Sequence, residues 1–296
     1  MKDPFNDLLD RLARSTRSPR GRYSADNSWK ILEDRIFARS RRQRRFRLWL
    51  TGTAATVLLC IAGWMTYEQL RPVPMQTFST LAEIRDLTLP DGTEVTLNRY
   101  SSLTCPEHFE HDRRDVRLQG EACFRVTKDA RRPFTVQAGD MKVRVLGTHF
   151  NVEAYPADPE VRTTLLEGSV AVSTDHGHKR LILRPNESAV YNRRSGLLRQ
   201  VSSPTATDEI AWSRGLFLFR RQTLQEIARQ LSNAFHTPIR IEGQQLAGYR
   251  LTATFDSSES LTEILNALQQ AASFCYSEQG GSIVISPRQA ETGGKQ

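Results

Sequence analysis

Residues 87–97 read LTLPDGTEVTL. Apolar and polar residues alternate on both sides of Asp91-Gly92, so each arm can bury one face while a tight turn joins the two. The pattern predicts a β-hairpin, and it continues outward. DVRLQGEACFRV (115–126), FTVQAG (134–139), MKVRVLGTHFNVEAY (141–155), VRTTLLEGSVAV (161–172) and LILRPNESAVYN (181–192) are each rich in Val, Leu, Thr and Phe. Gly- or Pro-containing turns separate them at intervals of about eight to twelve residues, with no helical period of useful length. Residues 81–201 are therefore expected to form an all-β domain, either an antiparallel sandwich or roll or a short β-solenoid.

Downstream the period changes. Phe217-Leu218-Phe219 reads as a short strand. Thr223 and Glu226 have capping-box spacing, and Leu224, Ile227, Leu231 and Phe235 share the helical face that follows. PIRI (238–241) and LTATF (251–255) read as strands. Ser260 and Glu263 open a second capped helix with Leu261, Leu265, Leu268 and Ala272 aligned, and FCYSEQGGSIVI (274–285) closes as a hairpin. Residues 216–287 thus predict a small α+β domain of order βαββαββ, in which each helix can cover a sheet face. Residues 202–215 read as a linker and 288–296 as a disordered tail.

The 296-residue chain carries 41 Lys+Arg and 33 Asp+Glu, a formal net charge of +8. Residues 1–47 hold 14 of the basic and 6 of the acidic groups, so this arm carries the whole excess. A balanced main body argues against a nucleic-acid-binding face there. The arm is followed by LWLTGTAATVLLCIAGWMTY (48–67), 20 residues without a charge. That length spans a hydrocarbon core of about 30 Å as a helix. Trp49, Trp64 and Tyr67 lie near its ends, where amphipathic rings prefer the interface. A buried core helix or a cleaved signal peptide fits less well: charge-free helices of this length are rare in soluble proteins, and the apolar run starts far from Met1. The 20 residues before the segment hold eight Lys+Arg and the 20 after it hold two. The positive-inside bias then predicts a single-pass bacterial inner-membrane protein. Its amino terminus is cytoplasmic, residues 68–80 are a juxtamembrane linker, and the body is periplasmic.

Within the arm, Phe5, Leu8, Leu9 and Leu12 have helical spacing, as do Trp29, Leu32, Ile36 and Phe37, with Ser-Pro-Arg-Gly between them at 18–21. Helices this short cannot bury a core of their own. A partner protein must cover their apolar faces, or else the arm is a basic tether held at anionic lipid or, least favoured, a DNA-binding element.

Catalytic patterns are missing from the sequence. The pairs His108/His111 and His176/His178 lack partners at structural-zinc spacing. His149 reads as a structural strand residue. No nucleophile elbow, phosphate-binding loop or dinucleotide fingerprint occurs. Neither an enzymatic activity nor a cofactor or metal is expected.

LPDGTEVTLNRYSSLT (89–104), VRLQGEACFRVTKDARRPFTVQAG (116–139), VRVLGTHFNVEAY (143–155) and VRTTLLEGSVAV (161–172), in that order, closely resemble the FecR family of transmembrane anti-sigma regulators. Gly92, Gly120, Gly147 and Gly168 in these segments suit turns, bulges and strand ends. Residues 216–287 resemble the carboxy-terminal domain of FecR proteins in Bacteroidota-like bacteria and are similar to the STN signalling modules of secretins and TonB-dependent transporters. The resemblance implies an anti-sigma factor. A TonB-dependent outer-membrane transporter, sensing an iron chelate or a glycan, contacts the periplasmic body through its signalling domain. The arm then releases or activates an extracytoplasmic-function (ECF) sigma factor, commonly after cleavage by site proteases. On this reading the sigma-binding residues are Leu8, Leu9, Leu12, Trp29, Leu32 and Ile36. The small sheet would offer an edge for β-augmentation, or else the module merely caps the β section. Family arms are commonly longer than this one. A periplasmic protein-binding scaffold anchored by one helix, without a transcriptional role, is the alternative. Cys105 and Cys123 fall where the family pattern often has aromatic residues. In an oxidising compartment they form either a disulfide, contributing roughly 3 kcal/mol, or two buried free cysteines.

Overall fold

In a computed structural model, the described residues are 7, 8, 11, 29–35, 49, 53, 56–67, 73–174 and 177–288. They divide into two units, residues 1–72 and 73–296. In the first, residues 29–35 and 56–67 are helical and exposed. Among the described residues no helix is long and apolar enough to cross a membrane. Six positions of the expected span (48, 50–52, 54 and 55) lie outside the described residues.

The second unit begins with strands β1 (Met75–Ser79), β2 (Arg85–Thr88), β3 (Glu94–Leu97), β4 (Ser102–Pro106) and β5 (Arg114–Arg125). It continues with β6 (Phe134–Ala138), β7 (Met141–Val145), β8 (His149–Ala154) and β9 (Glu160–Glu167). Strands β10 (Val170–Thr174), β11 (Gly177–Leu183), β12 (Glu187–Asn192) and β13 (Leu198–Ser202) complete the all-β domain. The expected hairpin is β2–β3, with Thr88 opposite Glu94 and Gly92 at φ +78° in the turn. Strand β1 falls inside residues 68–80, which the sequence assigned to a linker. It pairs along β4, so the domain starts earlier than expected.

Strand β5 organises this domain. Its first half pairs with β4 and, in parallel, with β6, while its second half pairs with β3 and β8. One sheet therefore runs β1-β4-β5-β6-β7-β10-β11 and the other β2-β3-β5-β8-β9-β12-β13, with β5 common to both. The strand changes sheet at Gly120 (φ +96°), where an added Cβ would lie 2.7 Å from the Ser101 Cα. The Ser101 hydroxyl accepts the Glu121 amide at 2.9 Å and pins the crossing. Both sheets turn their apolar faces onto one core: Phe124 stacks on Phe150 (5.2 Å) and lies 6.1 Å from Phe134. The result is an almost wholly antiparallel roll. A β-solenoid is excluded, because β5–β6 is the one parallel pair among the described strands of this domain.

Arg114, at the start of β5, is fully buried. It donates to Asp91 Oδ2 (2.7 Å) and to the carbonyls of Thr127 (3.0 Å) and Arg132 (2.8 Å). Asp91 also accepts the Thr93 amide and hydroxyl, which ties the hairpin turn to the central strand.

The Cys105–Cys123 disulfide allowed by the sequence is not formed; both thiols are free. The β4–β5 register sets Thr104 opposite Arg117, so Cys105 adjoins the first half of β5 and faces the core. Cys123 lies near the far end of β5, opposite Asn151 in the other sheet.

A 3₁₀ helix, Asp208–Arg214, occupies the predicted linker. The α+β domain follows: β14 (Leu216–Thr223), α1 (Leu224–Phe235), β15 (Ile239–Ile241), α2 (Gln244–Ala247), β16 (Arg250–Asp256), α3 (Leu261–Ala272), β17 (Phe274–Gln279) and β18 (Ser282–Pro287). Both capping boxes are present, at Thr223/Glu226 and Ser260/Glu263. The order differs from expectation by the short α2. The strands also form two sheets, β14–β16 and β15–β18–β17, rather than one. Helix α1 touches β14 and β15, and α3 touches β16 and β17, so the helices lie as a layer between the sheets. Their apolar faces build a second core around Phe219, Ile227, Leu231, Ile264 and Phe274, separate from that of the roll.

Candidate functional site

The polar residues of chemical interest converge where the two domains of the second unit meet. Strand β8 turns Phe150, Val152 and Ala154 into the roll, so Asn151 and Glu153 point the other way. Glu121 on β5 shares this outward face. Asn98 follows β3, and Asp158 lies in the β8–β9 connection. On an ordinary half-buried sheet this face would be wet, but here α1 and the 3₁₀ helix cover it.

The covering contacts are polar or aromatic. Arg229 Nη1 on α1 donates to Glu153 and to Asp158 Oδ2 (2.7 Å). Asn233, one turn further on, donates to the same Asp158 oxygen at 2.8 Å. Glu209 of the 3₁₀ helix accepts the Thr164 and Ser203 hydroxyls. Arg99 donates to the Ser257 carbonyl (2.7 Å), and its guanidinium lies 5.8 Å from the Phe217 ring and 5.7 Å from that of Phe235. Tyr100 stacks on His236 with centroids 4.7 Å apart. Beneath these contacts the Glu121 carboxyl accepts from Asn98 Nδ2 and Asn151 Nδ2, each at 2.8 Å. A cavity of about 490 Å³ runs along the seam, lined mainly by such polar groups.

The electrostatics follow from burial. Desolvation, reinforced by the Glu153 charge, pushes the Glu121 carboxyl up to about 8, although the two amide donors oppose it. Desolvation also raises Asp158 despite Arg229. Burial opposes the charge on Arg229, but Glu153 and Asp158 outweigh it and hold the guanidinium protonated. Burial and the Glu121 charge raise the Tyr155 phenol, whose hydroxyl donates to the Arg99 carbonyl (3.0 Å). Cys123 Sγ lies 3.3 Å from His149 Nε2. Burial pushes the thiol up to about 12, while burial and Arg125 lower the imidazole. The pair is thus thiol and neutral imidazole, the opposite of an activated thiolate.

Among the residues singled out in the sequence, Leu8, Trp29 and Leu32 are exposed on helical segments, while Leu9, Leu12 and Ile36 lie outside the described residues. His108 and His111 are exposed in the β4–β5 connection. His176 lies outside the described residues. Among the described residues no group of three or more His, Cys, Asp or Glu could hold a metal ion. The seam was not anticipated. The one sequence signal is a run of polar residues on the outward face of otherwise regular strands (Glu121, Asn151, Glu153), which reads equally well as a wet surface.

Residues 76–171 match the family described as FecR protein, and residues 216–285 match the family described as FecR, C-terminal. The chain belongs to the FecR family. The first match covers β1 through the start of β10 and the second covers the α+β domain, so the FecR seam is the junction of the two matched regions. Two crystal structures of a "putative anti-sigma factor" from Parabacteroides distasonis ATCC 8503, at 2.50 and 1.65 Å resolution, are similar to this chain. Each aligns with a TM-score of 0.63 and 29% identity, covering 72% of this chain and 99% of that one. No curated protein matches the chain. Family and structural neighbour are those of regulators that act through a sigma factor rather than of enzymes.

Proposed function

We propose that this FecR-family chain is a transmembrane anti-sigma factor that relays a periplasmic signal inward. The observation that carries the reading is the ordered match of both FecR regions behind a basic arm and a charge-free segment. Leu58, Leu59, Ile61 and Trp64 of that segment are exposed on a helix, an apolar surface that lipid would cover. Leu8, Trp29 and Leu32 are exposed on the arm and would be covered by an ECF sigma factor. On the other side, the signalling domain of a TonB-dependent transporter docks on the α+β domain. Sheet β14–β16 pairs with no further strand among the described residues, so β16 offers an edge for strand addition. Proteolysis is the natural release step, because a single helix transmits little conformational change.

Deleting residues 1–40 tests the reading in the native host. The expected outcome is a change in transcription of an ECF-controlled regulon, together with loss of sigma factor co-purifying with the full chain. An unchanged transcriptome with the body still exported would mean an anchored scaffold instead. A phosphatase reporter fused after Gln296 should be active only if the body is periplasmic.

A further inference from the structure

We infer that the seam between the roll and the α+β domain is a proton-sensitive latch, closed by Arg229 across Glu153 and Asp158 over the buried Glu121 carboxyl. Three observations carry this. The two apolar cores are separate, so the hydrophobic effect within each does not bind one domain to the other. The contacts that cross the seam are hydrogen bonds, the Arg229 clamp, the Arg99 guanidinium against Phe217 and Phe235, and one aromatic stack, beside a cavity of about 490 Å³, the make-up of an interface that opens. Three carboxyls lie beside the clamping guanidinium, which bonds Glu153 and Asp158 and leaves the third without an ion pair.

That carboxyl is Glu121. Glu153 from β8 and Arg229 from α1 act on it, and its charge acts in turn on Tyr155 of the β8–β9 connection. Arg162 of β9, Asp208 and Glu209 of the 3₁₀ helix, Arg220 and Arg221 of β14, Glu226 of α1 and Arg250 of β16 line the same cavity. Arg229 is engaged by Glu153 and Asp158, and the nearest donors to Glu121 are two neutral amides. Asn151 Oδ1 has no partner while Nδ2 donates to Glu121. Turning this amide over would let a protonated Glu121 donate to Oδ1. The closed seam therefore favours the neutral acid.

Opening wets Glu121 and returns it to the ordinary carboxylate range, about 4.5, against about 8 when closed. Closure is then fully favoured below the lower value and loses strength as pH rises to the upper one, because only the open form gives up the proton in that window. Linkage of one proton makes the opening constant rise about tenfold per pH unit in between. The raised Asp158 acts in the same direction.

Hydrogen exchange of the full chain, corrected for intrinsic rates and read at pH 5.5, 6.5 and 7.5, tests the latch. Protection in β8 and α1 should fall about tenfold per unit in the wild type, while β6, β7 and α3 stay protected. Glu121→Gln should abolish most of that fall and leave the seam closed at pH 7.5. Arg229→Met, or Asn233→Ala if the first does not fold, should lower seam protection at every pH without touching β6, β7 or α3. The same pH slope in Glu121→Gln as in the wild type would overturn the proton step. Loss of protection throughout the unit in the Arg229 or Asn233 variant would overturn the latch, because the two domains would then open as one.

Discussion

Arg114 and Asp91 show how one buried charge pair can fasten two distant segments. Asp91 is a turn residue by sequence, yet its side chain is as buried as that of its partner. Removing one member leaves the other charged, desolvated and unpaired, which costs about 3–5 kcal/mol. Arg114→Met should therefore lower the denaturant midpoint of the full chain far more than loss of the exposed pair Arg113–Glu110, whose charges water screens. Gly120 is a second such residue. Alanine there meets both a left-handed backbone and Ser101, for a cost of about 3 kcal/mol. Gly196→Ala, also at positive φ but in open space, should cost only about 1 kcal/mol in the same titration. The thiols make a third case. Cys105 is sealed in the core and Cys123 is held as a thiol, so of the three thiols beyond the charge-free segment iodoacetamide at pH 8 should label Cys275 first. Both buried thiols should react only after denaturation, as intact-mass and peptide mapping without reductant would show.

At the scale of elements, the helices of the α+β domain owe their starts to local chemistry. The Thr223 and Ser260 hydroxyls each accept the amide three residues on, and their own backbone amides donate to the carboxylates of Glu226 and Glu263. Ser260→Ala should destabilise α3 by about 1 kcal/mol, read as faster exchange of its first-turn amides with little change in the roll. Thr223→Ala carries a second consequence, because α1 also bears the seam residues Arg229 and Asn233. Fraying there reaches the contacts between domains, whereas fraying of α3 does not. The long strand β5 is the counterpart in the roll. Its first half alternates between core and surface, while Gly120 through Phe124 are buried on both sides, because the α+β domain and 3₁₀ helix lie over that half alone.

For the second unit as a whole, the consequence of two cores and a polar seam is partial independence. The smaller α+β core has the less favourable ratio of buried to exposed surface. In rising denaturant, amides of α1 and α3 should lose exchange protection before those of β6, β7 and β10, rather than all together. A single coincident loss would mean that the seam couples the domains fully. In the proposed regulator this independence matters: a partner on the α+β domain has polar and aromatic contacts to displace, not a core to break.

Much of this architecture could be read before any coordinates. Alternation of apolar residues in 87–97, 115–126 and 141–155 prescribes strands, since one face must leave water, and Asp91-Gly92 prescribes the turn between two of them. The capping boxes and the 3.6-residue period prescribe α1 and α3. These signals are local, so the chain alone determined them. Tertiary structure decided what was non-local. The crossing of β5 between sheets put Cys105 and Cys123 in different environments. The α+β strands separated into two sheets around the helices. The outward polar face of β5 and β8 was covered. An alternating strand states that one side is dry but cannot state what lies against the other. Glu121, Asn151 and Glu153 have the same pattern beside water as beside a second domain, and only the arrival of Arg229 from more than seventy residues away distinguishes the two.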